Sequence, residues 1–297
     1  LHLPAMAAVA GIKLLWEDFE EISKVVPLIA RIYPNGHADV NEFQQAGGMG
    51  FVLQELMDEG FLDPSAKTSW GNELSDCYNV PTVKLSNINF SSTKVESHDQ
   101  DILRPVSKPF DKSGGIKVLT GNLGKAVIKV SAVAQRHYKI IAKALVFDTQ
   151  AEVVDAFDAG LLDRDVVVVV RGQGPKANGM PELHSLTPML SLIQEKGFKV
   201  ALVTDGRMSG ASGKIPAAIH LYPEAVDGGP ISKIKDGDVI TLDALTGTIS
   251  AELDDSRETP VKPLKEPHFR GFGRELFSVL RLNSNNAERG GGINTLS

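Results

Sequence analysis

The chain has 297 residues, 42% of them hydrophobic and 23% charged, with a formal net charge of -6 at neutral pH. That length supports one large or two moderate domains with real cores, and its interspersed acidic and basic residues offer none of the basic surface that a nucleic-acid binder needs. No apolar run reaches the roughly 20 residues that span a bilayer and no charged leader opens the sequence, so a cytoplasmic protein without a membrane partner is the default expectation.

In chain order, "LHLPAMAAVAGI" begins at once with core-like composition and without methionine, which suggests a truncated chain. Residues 1–62 read as helical. "DFEEISKVVPLIARIY" and "NEFQQAGGMGFVLQELMDEG" carry apolar residues three and four apart, and Gly60 is placed as a helix stop. This predicts the closing part of an N-terminal α/β domain. Over residues 63–111 periodicity fades, and Ser, Asn, Asp, Thr and Pro accumulate, as in "SNINFSSTKVESHDQD". The expectation there is an irregular interdomain connection, long enough to carry ordered structure of its own. It includes the single cysteine, Cys77 in "LSDCYNV", so these residues form no internal disulfide and no all-cysteine metal cage.

From residue 112 to 297 short strands alternate with a few helices. The strands are "IKVLTG", "AVIKVSAV", "KALVFD", "DVVVVVR", "KVALVTD", "DVITLDA" and "TISAEL", and the helices cover 150–159, 186–196 and 272–282. The unbroken valine run at 166–170 predicts a strand covered on both faces. The fold class that follows is α/β, its second domain β-barrel-like with flanking helices.

Two segments concentrate groups that can do chemistry. In "VTDGRMSGASGKIPAAIHLYPEA" an apolar strand runs into a turn where Gly206, Gly210 and Gly213 permit close backbone approach, so that successive amides can converge on an anion. Ser209 and Ser212 add hydroxyls, and Arg207 and Lys214 add donors suited to a carboxylate or phosphate. The plainer alternative, and the better one for an isolated turn, is a connection whose serine caps a following helix. In "VVVVVRGQGPKANGMPELH" a second buried strand delivers Lys176, Asn178, Glu182 and His184. Taken singly, Glu182 reads as a helix-start carboxylate and His184 as an ordinary, partly buried histidine. Together, two polar turns behind two apolar strands point to one shared site. Neither segment has P-loop spacing, and "GNLGKAV" lacks the full GxGxxG pattern.

Taken in order, "TDGRMSGASGKIPAAIHLYPEA", "GGPI" and "DGDVITLDA" resemble the signature of the dehydratase family that contains dihydroxy-acid and 6-phosphogluconate dehydratases. "LHLPAMAAVAGI", "YPNGHADVNEFQQAGGM", "GNLGKAVIKVSAV" and "QGPKANGMPELH" look most like its 6-phosphogluconate branch, and the similarity runs from Leu1 to about residue 282. The resemblance implies an N-terminal α/β domain whose tail is residues 1–62 and a swivelling C-terminal domain over 112–297. It implies a hydro-lyase that removes water from 6-phospho-D-gluconate, the committed step of the Entner–Doudoroff pathway. The cofactors it implies are an iron–sulfur cluster, with ligands in an N-terminal half outside this chain, and a divalent ion such as Mg²⁺. By motif match Ser209 corresponds to the base, Glu182 to the metal carboxylate, and Lys176, Arg207, Ser212 and Lys214 to substrate-binding positions. The family forms homodimers. The alternatives are a related dihydroxy-acid or sugar-acid dehydratase and, from another class, a non-catalytic module that binds a phosphorylated acid or a partner chain.

Overall fold

The computed structural model describes residues 1–69, 72–76, 80–91, 95–209, 213–253 and 272–293. Its helices are α1 (His2–Val9), α2 (Trp16–Val25), α3 (Val40–Gln45), α4 (Gly48–Asp58), α5 (Gln150–Asp158), α6 (Pro175–Asn178), α7 (Leu186–Glu195) and α8 (Phe272–Leu282). The strands are β1 (Val80–Lys84), β2 (Asn87–Ser91), β3 (Ile116–Gly121), β4 (Gly124–Lys129), β5 (Lys139–Phe147), β6 (Val166–Val170), β7 (Val200–Thr204), β8 (Ala217–Tyr222), β9 (Val239–Asp243) and β10 (Thr248–Ala251). Among the described residues no helix is long and apolar enough to cross a membrane.

The chain divides into two compact units, residues 22–115 and residues 1–21 with 116–297. The smaller unit is built around Ala38, Ala46, Phe51, Ile102 and Leu103. Within it α3 starts at Asp39, whose carboxylate accepts the amides of Asn41 and Glu42 at 2.8 Å each, while the Glu42 carboxylate accepts the Asp39 amide at 2.8 Å. This reciprocal cap satisfies amides that a helix start leaves without partners. The helical reading of "SKVVPLIARIY" does not hold beyond α2. Pro27 disfavours helical geometry in the residue before it, and Leu28, Ala30 and Ile32 make isolated bridges to Asp111, Leu103 and Ala38 instead. The stretch read as irregular carries an antiparallel hairpin, β1 on β2. Cys77 lies outside the described residues.

The larger unit holds the expected barrel, closed in the order β10-β3-β4-β8-β7-β6-β5-β9. Strands β5 to β8 run parallel to their neighbours in this arc, with α5 joining β5 to β6 and with α6 and α7 joining β6 to β7. Period-two alternation explains the valine run. Val167 and Val169 enter the barrel core with Ala201 and Val203, whereas Val166, Val168 and Val170 pack with Leu186, Leu190 and Ile193 of α7. Closure brings β3 and β10 together so tightly that a Cβ on Gly121 would sit 1.7 Å from the Ile249 carbonyl oxygen.

In the larger unit, too, an element departs from the sequence reading. The alanine-rich segment after the glycine turn is not a helix capped by serine but strand β8, paired with β4 and β7. Pro216 and Pro223 bracket it, leaving six residues, fewer than two helical turns, whereas two waiting strand edges supply its backbone partners.

Candidate active site

Val170 and Thr204 are partners in the β6–β7 register, so the loops that follow them leave the barrel side by side. Two carboxylates buried beneath these loops hold them. Asp205 accepts the amides of Gln173 at 2.9 Å and of Gly172 and Ala225 at 3.0 Å each. Burial pushes its carboxyl above the ordinary aspartate range, while the amides of Ala225, Gln173 and Gly172 pull the other way. Glu224, also buried, accepts the amides of Lys176 and Ala177 at 3.1 Å each and so occupies the start of α6. Burial raises its carboxyl as well. Gly174 is required there, because a Cβ would meet Glu224 Oε2 at 2.2 Å.

Above this base the loops pair directly. Glu182 and Arg207 form an isolated parallel bridge, the Leu183 amide donates to the Arg207 carbonyl at 3.0 Å, and Arg207 Nε donates to the Met180 carbonyl at 3.0 Å. The Arg207 guanidinium and the Glu182 carboxylate face each other at 4.0 Å, both partly exposed. Ser209 follows two residues later and is half-buried, next to buried Met208. The structure therefore brings Glu182 and Arg207 together, with Ser209 two residues further along the chain.

The remaining sequence candidates are placed differently. Lys176 lies on α6 with Nζ 2.9 Å from both carboxylate oxygens of Asp227, and that bond raises its pKa. Lys214 lies at the exit of the turn, where its carbonyl accepts Gln194 Nε2 at 3.2 Å. Ser212 lies outside the described residues. His184 stands beside Glu182, its Nδ1 3.4 Å from the Glu182 carbonyl oxygen.

Several residues around the site escaped sequence reasoning: Asp205, His220, Glu224 and Asp227. His220, on β8, has a left-handed backbone (φ +60°) and donates its amide to the Gly206 carbonyl at 2.9 Å. Its ring centroid lies 6.0 Å from that of Trp16. Burial, with the positive charge of Arg207 adding to it, holds its pKa well below the ordinary histidine value, so the imidazole is neutral at physiological pH. An aspartate at a strand end and a glutamate after proline are the only signals the sequence offers for Asp205 and Glu224.

Among the described residues no three His, Cys, Asp or Glu side chains gather as a metal site would require. Glu182 fits as a single hard oxygen ligand for a divalent ion. One cysteine in the whole sequence does not fit an iron–sulfur cluster, which takes several thiolates.

A closed barrel with a parallel arc and two paired loops at adjacent strand ends places the chain in the α/β class. The chain belongs to the dihydroxy-acid/6-phosphogluconate dehydratase family: the family's C-terminal model matches residues 101–291 and its N-terminal model residues 1–77. It is 49% identical to a phosphogluconate dehydratase of Pseudomonas aeruginosa over 98% of this chain and 48% of that protein. Against the phosphogluconate dehydratase of Escherichia coli K12 the identity is 48% over 98% of this chain and 49% of that protein. A dihydroxy-acid dehydratase of Parvibaculum lavamentivorans is 38% identical over 86% of this chain and 42% of that protein. The chain spans about half the length of the curated relatives it matches.

Proposed function

We propose that this chain forms part of a cytoplasmic, homodimeric hydro-lyase that converts 6-phospho-D-gluconate to 2-dehydro-3-deoxy-6-phospho-D-gluconate, with residues 1–62 the tail of a first domain and 112–297 the catalytic swivelling domain. The observation that carries the reading is the pairing of Glu182 with Arg207. It holds a carboxylate suited to a hard cation against Arg207, which stands two residues before Ser209 in the chain.

The chemistry asks for a base at C2, because the proton next to a carboxylate is weakly acidic. Ser209 Oγ takes that proton as an alkoxide and the C2–H electron pair moves into the carboxylate as an enediolate; the enediolate then collapses to a C2=C3 enol as the C3–O bond breaks, and the departing hydroxide takes the proton from the Ser209 hydroxyl to leave as water. The enol left at C2 tautomerises to the ketone. Arg207, fixed to the Met180 carbonyl, is placed to steady the turn and the developing negative charge. An iron–sulfur centre and a divalent ion would supply Lewis-acid assistance to hydroxide departure and enediolate formation. Of these residues only Glu182 is suited to hold the ion, and the cluster's thiolates come from outside this chain. Lys176 and Lys214 are the cations assigned to the 6-phosphate, Lys176 exchanging its Asp227 partner for phosphate oxygens.

The relatives' names favour the phosphorylated sugar acid. The test compares turnover of 6-phospho-D-gluconate and 2,3-dihydroxyisovalerate by the holoprotein containing this chain. A kcat/KM at least about 100-fold higher for the sugar acid, roughly 2.7 kcal/mol of discrimination, is expected. Preference for the branched dihydroxy acid would contradict the reading.

A further inference from the structure

Residues 1–21 match the family's N-terminal model, yet they pack with the barrel as part of the larger unit. The start of α2 anchors them. Glu17 pairs with Lys125 of β4 at 2.5 Å, Glu288 takes the same ammonium, and Glu20 Oε1 accepts the Val118 amide of β3 at 3.1 Å. These ties seat Trp16, which is buried in one apolar cluster with Val118, Met180 and Ala287.

Two residues with strained backbones share the surroundings of this tryptophan. Four described residues other than glycine are left-handed: Leu85, Ser86, Met180 and His220. The first two form the two-residue turn between β1 and β2, where that geometry is ordinary. Met180 and His220 lie outside any hairpin turn. His220 falls where β8 advances three residues, Ile219 to Tyr222, while β4 advances two, Val127 to Lys125. Such a bulge re-aims a side chain, and the His220 ring centroid stands 6.0 Å from that of Trp16. Met180 (φ +55°) belongs to the same buried cluster as Trp16. A left-handed backbone under a large side chain persists only where its surroundings over-determine it, and Trp16 is common to both surroundings.

Both residues hold Arg207. The Met180 carbonyl accepts Arg207 Nε at 3.0 Å, and the His220 amide donates at 2.9 Å to the carbonyl of Gly206, the residue before the arginine. One bond fixes the guanidinium and the other fixes the backbone that carries it. Arg207 Nη1 stands 4.0 Å from the Glu182 carboxylate, beyond hydrogen-bond reach of it and partly exposed, so this end of the side chain can meet an anionic ligand.

We propose that Trp16 is a positioning residue for Arg207: an indole from the N-terminal segment that holds Met180 and His220 in left-handed geometry and so aims the guanidinium. The proposal rests on the reading of Arg207 as the donor to negative charge developing on the substrate. Trp16 acts through Arg207, and residues 1–21 thereby become a working part of the strand-end site.

The test uses the holoprotein containing this chain, with iron content matched to wild type and folding checked by thermal melting. Trp16→Leu removes the indole and keeps the position apolar. Its kcat is expected to fall about 100-fold, the order of loss for a group displaced by about 1 Å, with KM within about twofold. Arg207→Ala is expected to lose about 10³-fold in kcat. In the Arg207→Ala background, Trp16→Leu should change kcat by less than about threefold, because the group it aims is gone. General damage would instead multiply the two losses. A Trp16→Leu kcat within about threefold of wild type, or multiplied losses in the double variant, overturns the proposal. If Trp16→Leu melts below the assay temperature, Trp16→Met is read by the same criteria. Arg207→Ala separates the two claims. Full turnover there removes Arg207 from the reaction and both fall, whereas an impaired Arg207→Ala beside an unimpaired Trp16→Leu sinks the Trp16 proposal alone.

Discussion

Asp205, at the end of β7, accepts the amide of Gln173, in the loop after β6, at 2.9 Å, and the pair lies buried. With Gly172 and Ala225 on its other oxygen, one carboxylate joins three separate loops. Asp205→Asn would turn an amide nitrogen toward one of these N–H donors and remove the charge assistance from the rest. The expected loss is about 3 kcal/mol of stability, read from the urea midpoint at constant slope. A loss under about 0.5 kcal/mol would show that the loops hold without it.

Gly174 and Glu224 make the second tie. A methyl group at 174 displaces the far end of Glu224 from the amides of Lys176 and Ala177, because its carbon would lie 2.2 Å from Oε2. Gly174→Ala should destabilise the fold by about 1–3 kcal/mol through loss of these charge-assisted bonds. The double variant Gly174→Ala with Glu224→Gln should cost less than the sum of the two single changes, which thermal melts of all four proteins will show.

His220 predicts a pH dependence with a definite sign. Its folded pKa lies well below the ordinary value of 6.5, chiefly through burial. Below pH 6.5 the unfolded chain takes up a proton that the folded imidazole refuses, so the contribution is full above 6.5 and is lost as pH falls toward the folded value. Asp205 and Glu224, with raised carboxyls, act in the opposite sense on acidification, so the contribution is read as a difference between proteins. Asparagine tolerates the left-handed backbone. His220→Asn should therefore lose less stability than wild type between pH 6.5 and pH 4, and equal losses would contradict the assignment.

The phosphate reading separates two lysines. If Lys176 and Lys214 hold the 6-phosphate, each change to alanine should raise KM for 6-phospho-D-gluconate by about tenfold while leaving binding of gluconate unchanged. Asp227→Asn should strengthen phosphate binding by releasing Lys176. Stability should change by less than about 1 kcal/mol in Lys176→Ala, since its ion pair is partly exposed. Equal losses with phosphorylated and unphosphorylated ligand would remove both lysines from the phosphate site.

Much of the barrel is legible in the sequence, and the reasons are physical. The valine run of β6 and the "KVALVTD" of β7 are buried on both faces, and a run of apolar residues bounded by turn residues states that directly. The fill of β8 is ambiguous. "AAIHLY" suits either state, and only the edges of β4 and β7, far away in sequence, decide for strand. The two loops are visible as polar segments behind apolar strands, with Glu182, Arg207 and Ser209 among their residues. What holds them is not visible, because Asp205 and Glu224 bond to amides 20 to 48 residues distant.

The most direct test concerns the Ser209 hydroxyl. With iron and sulfide content matched to wild type, turnover of 6-phospho-D-gluconate by the Ser209→Ala holoprotein is expected to fall at least about 10³-fold, within the range of a lost general base. A rate within about tenfold of wild type would mean that another group removes the C2 proton, and the mechanism built on this turn would be wrong.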